Sequence, residues 1–267
     1  MTQSKIYQIY YSKETQASND QGFLQLDNLS NERADWSEYW PIRNFLLSNE
    51  LDESSFYGFF SPKFKQKTFL SSTEVYHFID QNDEAEVILF PPHYDHSAFN
   101  INIFLQAEAA HRGILEVFCR SFHREEDFFK NLVMTSNDTI FCNYFVAKPS
   151  FWRQWLKIGE GIFSEAEQLS SELAILLNGD SQYGIGRAPS KVFVIERIAS
   201  YLLVTQKHQV AVFDPSKTFY DFCPPAFSLV LDALKIAYVS TGRDEFLNHF
   251  HVFRDSLLQS NKTQVAQ

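Results

Sequence analysis

The chain is short of cysteine, of positive charge and of long apolar runs, and each shortage closes off a class of function. Its three cysteines, Cys119, Cys142 and Cys223, lie far apart with no C-x-x-C pair. That spacing offers no zinc site and suits a reducing cytoplasm. Lysine and arginine total 23 against 33 acidic residues, a formal charge of -10, whereas a nucleic-acid binder would show a basic face. An acidic surface can still hold a local basic pocket for a phosphorylated ligand. No window approaches the roughly 18 apolar residues of a membrane span, and the leading MTQSKIYQIYYSKE has no apolar signal region. The expectation is a cytoplasmic protein, at most peripheral to a membrane. Internal repeats, a nucleophile elbow and a dinucleotide fingerprint are also missing: Gly184-Ile185-Gly186 is too short for the last and follows no strand.

What remains is an ordinary globular composition, 45% hydrophobic and 21% charged over 267 residues, enough for a sizeable core. Aromatic residues, 27 Phe, 12 Tyr and 4 Trp, belong mostly to that core, with a minority available to stack on flat ligands.

The densest cluster of usable chemistry lies within Ala85 to Glu108. Val87-Ile88-Leu89-Phe90 reads as a buried strand that Pro91 and Pro92 stop. The polar knot His93-Tyr94-Asp95-His96 follows, and Ser97 is placed to cap a helix running to about Glu108. Strand, polar loop, helix is how open α/β sheets build ligand sites at the carboxyl ends of their strands.

Earlier in the chain, Lys5 to Tyr11 reads as a first strand and the stretch to Ser37 as a long polar loop, a length that suggests function. Glu38 to Ser48 reads as a helix with Arg43 among apolar neighbours, either ion-paired or anchoring a phosphate. Phe56 to Phe60 reads as a strand leading into Ser61 and the lysines 63, 65 and 67, which are either a solvated loop or a means of neutralising a diphosphate. Ser71 and Glu74 have capping-box spacing for a helix to Gln81. Strand and helix alternate to this point, which predicts a mostly parallel sheet.

Later segments read as a strand at Glu116–Ser121, a helix at His123–Met134 and a strand at Ile140–Ala147. The buried Asn143 in that last strand must bond its own sheet or a ligand hydroxyl. Helices follow from Pro149 and over Ser164–Leu177, then a loop over Asn178–Pro189. The apolar helix Ser190–Thr205 carries an abrupt Glu196-Arg197 pair, which must be paired, exposed or functional. A strand at Val210–Phe213 and helices at Phe227–Val239 and Asp244–Leu258 close the chain, with 259–267 as a polar tail.

KIYQIYY, FYGFFSPKF, EVILFPP, CNYFVAKPSFW and VFVIERI, in that order, resemble bacterial glycosyltransferases of the GT-A type encoded in surface-polysaccharide (capsule, O-antigen, lipopolysaccharide) clusters. The resemblance implies an α/β, Rossmann-like open mixed sheet, mostly parallel, flanked by helices, with a helical C-terminal half. It implies one domain over 1–258, with a nucleotide-sugar half at 1–112 and an acceptor half at 113–258. The donor is then a nucleotide sugar, the acceptor a saccharide or lipid-linked saccharide, and the location cytoplasmic or at the inner membrane face. Tyr10 and Tyr11 would flank the nucleobase, Ser61 and Lys63 would lie near the donor, and Asn143 would face the donor sugar or the acceptor. Glu196 would be the base of an inverting transfer, with Arg197 orienting it or contacting the diphosphate.

One departure stands out. In place of Asp-X-Asp the chain has Pro91-Pro92-His93-Tyr94-Asp95-His96. Asp95 with His93, or with His249 or His251, is left to hold Mn or Mg, although hard cations prefer oxygen-rich shells. Without a metal, Arg43, Lys63 and Arg197 would have to neutralise the leaving diphosphate. His249 and His251 stand two apart on a helix, face different ways and read as structural. The competing readings are an inert GT-A-like binding module and, more weakly, a hydrolase built on Asp95 with His93 or His96.

Overall fold

The computed structural model describes residues 4–265 apart from 169, 184–185, 215–216, 218–219 and 221. The elements in chain order are β1 (Ser4–Tyr10), α1 (Lys13–Ser18), β2 (Leu24–Asp27), a single 3-10 turn (Ala34–Trp36), α2 (Tyr39–Ser48), β3 (Phe56–Phe60), α3 (Phe64–Thr68), α4 (Ser72–Gln81) and β4 (Val87–Leu89). Then come α5 (Tyr94–Phe99), α6 (Ile103–Ala110), α7 (Ile114–Phe122), α8 (Glu126–Asn131), β5 (Phe145–Ala147), α9 (Pro149–Ala166) and α10 (Glu172–Asn178). The hairpin β6 (Asp180–Tyr183) and β7 (Gly186–Pro189) leads to α11 (Ser190–Glu196), α12 (Ile198–Thr205), β8 (Val210–Val212), α13 (Pro225–Thr241) and α14 (Asp244–Val265).

Six strands form the main sheet in the order β2-β1-β3-β5-β4-β8. β1 runs parallel to β2 and β3, β4 runs parallel to β8, and only β5 is reversed, antiparallel to both β3 and β4. The sheet is mostly parallel, as the alternating elements predict, and β5 makes it mixed. Because β1 sits between β2 and β3, the chain leaves it first to one side and then to the other, a topological switch point. One apolar core spans both halves of the chain, from Ile6 to Leu202, and a small satellite (Phe99, Cys223, Leu231, Phe250, Leu257) sits under the C-terminal helices.

Several expectations are corrected. The supposed loop 12–37 contains α1, capped by Ser12 and Thr15, and the edge strand β2. Ser97 lies inside α5 and caps nothing; α6 is capped by Asn102, whose side chain accepts from the Phe104 and Leu105 amides. Residues 116–121 are helical within α7, since Ile114, Leu115, Val117, Phe118 and Phe122 form a helical buried stripe rather than an alternating one. The helix at 164–177 is the end of α9 plus the separate α10, and 178–189 holds a two-stranded hairpin, with Gly184 and Ile185 outside the described residues. The last helix continues to Val265, as no Gly or Pro interrupts 259–265. No described helix is long and apolar enough to cross a membrane.

A candidate active-site cleft at the ends of β1 and β3

Outside the carboxyl ends of β1 and β3 lies a cleft of about 140 Å³, the place where an open α/β sheet with this strand order binds ligands. Tyr11 follows β1, and Ser61, Pro62 and Lys63 follow β3. Lys67 comes from the last turn of α3. Because β5 is reversed, the residues that enter it arrive at this same edge and bring Cys142 into the wall. Ser37 and Glu38 close one side, and α11 closes the other with Val192, Phe193 and Glu196, which share one helical face at i, i+1 and i+4. A second depression of about 230 Å³ shares Tyr11, Ser37 and Glu38 and extends over Asn28 and Asn31 beyond the end of β2.

The walls are tied together from behind. The buried Lys191 of α11 donates to Asp35 at 2.5 Å and to Asn178 at 2.8 Å, and its ammonium lies 4.4 Å from the Trp36 ring. This anchors α11 to the 3-10 turn that delivers Ser37 and Glu38. Ser61 is fixed by a 2.6 Å bond between its hydroxyl and that of Tyr144, while its carbonyl accepts from the Gln8 amide. Backbone strain gathers here. Of the seven described non-glycine residues with positive φ, Asn31, Ser37 and Cys142 line the two depressions, and Asn143 is the next residue along. Such geometry costs about 1–3 kcal/mol per residue and clusters at functional sites.

Glu196 carries the strongest chemistry. Its side chain is 27% exposed and stands at the C-terminal end of α11, where the helix axis breaks before α12. Burial pushes its carboxyl above the ordinary range and the Glu38 carboxylate adds to this, while Arg197 and Lys67 oppose it. The Arg197 guanidinium is 3.5 Å from Glu196, too long for a strong bond. The Cys142 thiol accepts from Lys67 at 3.0 Å and is pushed up to about 11, chiefly by burial.

Of the residues singled out by sequence, Tyr11, Ser61, Lys63, Lys67 and Glu196 meet in this cleft. Tyr10 does not line it: the ring is buried, with burial and the Asp27 carboxylate raising its hydroxyl. Arg43 is held by Glu160 at 2.5 and 2.8 Å and packs over Phe163, joining α2 to α9 as an ion-paired arginine. Arg197 is buried behind Glu196, donating to the Phe193 carbonyl and to Gln106. Asn143 is buried beside the cleft with its side-chain oxygen unpartnered. Asp95 is 0% exposed, and its Oδ2 accepts the Phe222 and Cys223 amides, which ties α5 to the approach to α13. His93 holds the left-handed position at the start of α5. Asp95 is thus held by two amides through one of its oxygens, and among the described residues no group of three or more His, Cys, Asp or Glu is placed to hold a metal ion. His249 bonds the Glu245 carbonyl of its own helix.

Ser37, Glu38 and Lys191 escape sequence reading. Glu38 looks like an ordinary helix start, and only the third dimension sets it opposite α11. A larger cavity, about 550 Å³ between α7, α9, α10 and α12, touches no strand end. Its Arg120 is already neutralised by Glu116 and Glu172. The smaller cleft is therefore the better candidate, since four charged groups from three separate segments converge on it. No protein-family model, curated protein or solved structure matches the chain.

Proposed function

We propose that the protein is a glycosyltransferase that moves a sugar from a nucleotide-sugar donor to a saccharide acceptor with inversion. The observation that carries this reading is one cleft at the sheet's switch point in which a carboxyl raised by burial, Glu196, shares the walls with Lys63 and Lys67. The depression beyond β1 and β2, with the Tyr11 ring and the Asn28 and Asn31 amides, suits a nucleobase. Lys63 and Lys67 then meet the diphosphate, in place of Arg43 and Arg197, whose charges are engaged elsewhere.

In the transfer, the acceptor hydroxyl oxygen attacks the anomeric carbon while the bond from that carbon to the diphosphate breaks. The Glu196 carboxylate takes the hydroxyl proton, and the lysine ammoniums meet the charge growing on the leaving phosphate. The second reading, an inert GT-A-like binding module, draws support from the engagement of Asp95 and the lack of a second carboxylate beside it.

A thermal-shift screen of UDP-, GDP-, CMP- and dTDP-linked sugars, each with Mn and with EDTA, separates the two. A nucleotide-selective rise is expected, and a flat response across the panel would favour the inert module.

A further inference from the structure

The cavity of about 550 Å³ between α7, α9, α10 and α12 shares no lining residue with the cleft. Its volume falls within the roughly 300–1,000 Å³ of small-molecule sites. Its floor is apolar and preformed. Phe122 of α7 and Tyr201 of α12, both buried, stack with ring centroids 4.3 Å apart, and Arg124 donates to the Tyr201 hydroxyl at 2.9 Å. Ile162 of α9 and Leu202 of α12, also buried, complete the floor.

Two features of the walls are unexplained by packing within the chain. α9 carries two glycines in its interior, where alanine would be more stable. Gly159 has its reason in the Tyr39 ring, whose Cε2 a Cβ would meet at 2.7 Å. Gly161 has none. A Cβ there would meet nothing within 4 Å beyond its chain neighbours and its own helix backbone, and the residue lines the cavity. Glycine so placed permits the close approach of a ligand. The Ser121 hydroxyl, buried in the opposite wall on α7, has no hydrogen-bond partner among the described residues. A buried hydroxyl left unpaired is costly, and a polar group supplied from the cavity would relieve it.

Charge narrows the class of ligand. Arg120 is held by Glu116 and Glu172, and, His123 aside, the other charged lining groups, Lys157 and Glu165, are one of each sign. The walls thus offer no net charge to an ion, and the apolar floor would penalise one.

We propose that this cavity is a second ligand site, which takes a small uncharged molecule with an apolar body and one hydroxyl or carbonyl group that pairs with Ser121. The site is independent of the chemistry in the cleft.

The test is isothermal titration of the full chain with 1-naphthol and 1-octanol, each beside its carboxylate analogue, 1-naphthoate and octanoate. The two alcohols separate a flat ring from an acyl chain as the apolar body. Saturable one-to-one binding of at least one alcohol is expected, with its carboxylate roughly tenfold weaker or more. G161L, which places a side chain in open space, should weaken that alcohol about tenfold or more by filling the cavity. S121A, which removes the unpaired hydroxyl, should weaken it about threefold to tenfold. No saturable binding of either alcohol would overturn the site, as would an affinity undiminished in G161L, which would put the alcohol elsewhere on the surface. Equal or tighter binding of the carboxylates would overturn the uncharged class, and an affinity unchanged in S121A would overturn the pairing with Ser121.

Discussion

Glu196 sits where its charged form is resisted by burial and by Glu38 and supported by Lys67 and Arg197. A base so placed works only once deprotonated, so transfer should fall away as pH drops through its raised pKa, above the usual carboxylate range. E196Q should lower turnover by about 10²–10⁴-fold, leave the nucleotide-sugar thermal shift intact and abolish that acid limb. A pH profile of turnover for both proteins checks it; undiminished turnover removes Glu196 as base. A second carboxyl, Asp138, is raised to about 7, chiefly by burial, with Asp232 adding and Lys235 opposing. Its folded pKa lies above its unfolded value, so the folded state holds the extra proton between about pH 4 and 7 and stability declines as pH rises through that window. The ceiling is ~4 kcal/mol, and partial solvent access leaves roughly 1–2 kcal/mol of it. D138N, which keeps an acceptor for the Thr135 amide, should therefore be more stable than wild type by about 1–2 kcal/mol at pH 8 and no more stable at pH 4, as urea titrations would show.

Elements in this fold are joined as much by polar seams as by apolar ones. α13 is held by Asp232 and Lys235 against α5 and the turn at Ser136. Truncating Asp232 to Ala strands the Ser136 and Tyr94 donors and leaves Lys235 without its nearest anion, at a cost of about 2–4 kcal/mol. Amide exchange in α13 and α14 should accelerate by orders of magnitude while β1, β3 and β4 stay protected; uniform acceleration would refute the independent opening of these two helices. In β3 the limit is steric. A Cβ on Gly58 would meet Val146 Cγ2 at 2.7 Å and Ile6 Cδ1 at 3.3 Å, so G58A should lose about 1–3 kcal/mol by overpacking, read as a lowered denaturation midpoint. A Gly in the middle of FYGFF is visible in sequence; that it accommodates a reversed neighbour strand is not.

At the scale of the whole molecule, the prediction concerns cations. If Lys63 and Lys67 meet the diphosphate, stabilisation by the preferred nucleotide sugar should persist in EDTA, and K63A/K67A should weaken it at least tenfold in apparent affinity. Loss of the shift in EDTA would show that a metal ion, not lysine alone, faces the phosphates. The periodicity of the chain specifies most helices, the strands β1, β3, β4 and β8 and the α/β class, because these depend on neighbours within a turn or a strand. It also exposes Glu196, since a charge in so apolar a helix needs a reason. Only tertiary structure decides that β5 runs backwards and carries Cys142 to the cleft, that Arg43 is consumed by Glu160 and Asp95 by two amides, and that Glu38 stands across from α11. Those facts turn on which distant groups satisfy a buried charge, and pairing at long range leaves no period in the sequence to read.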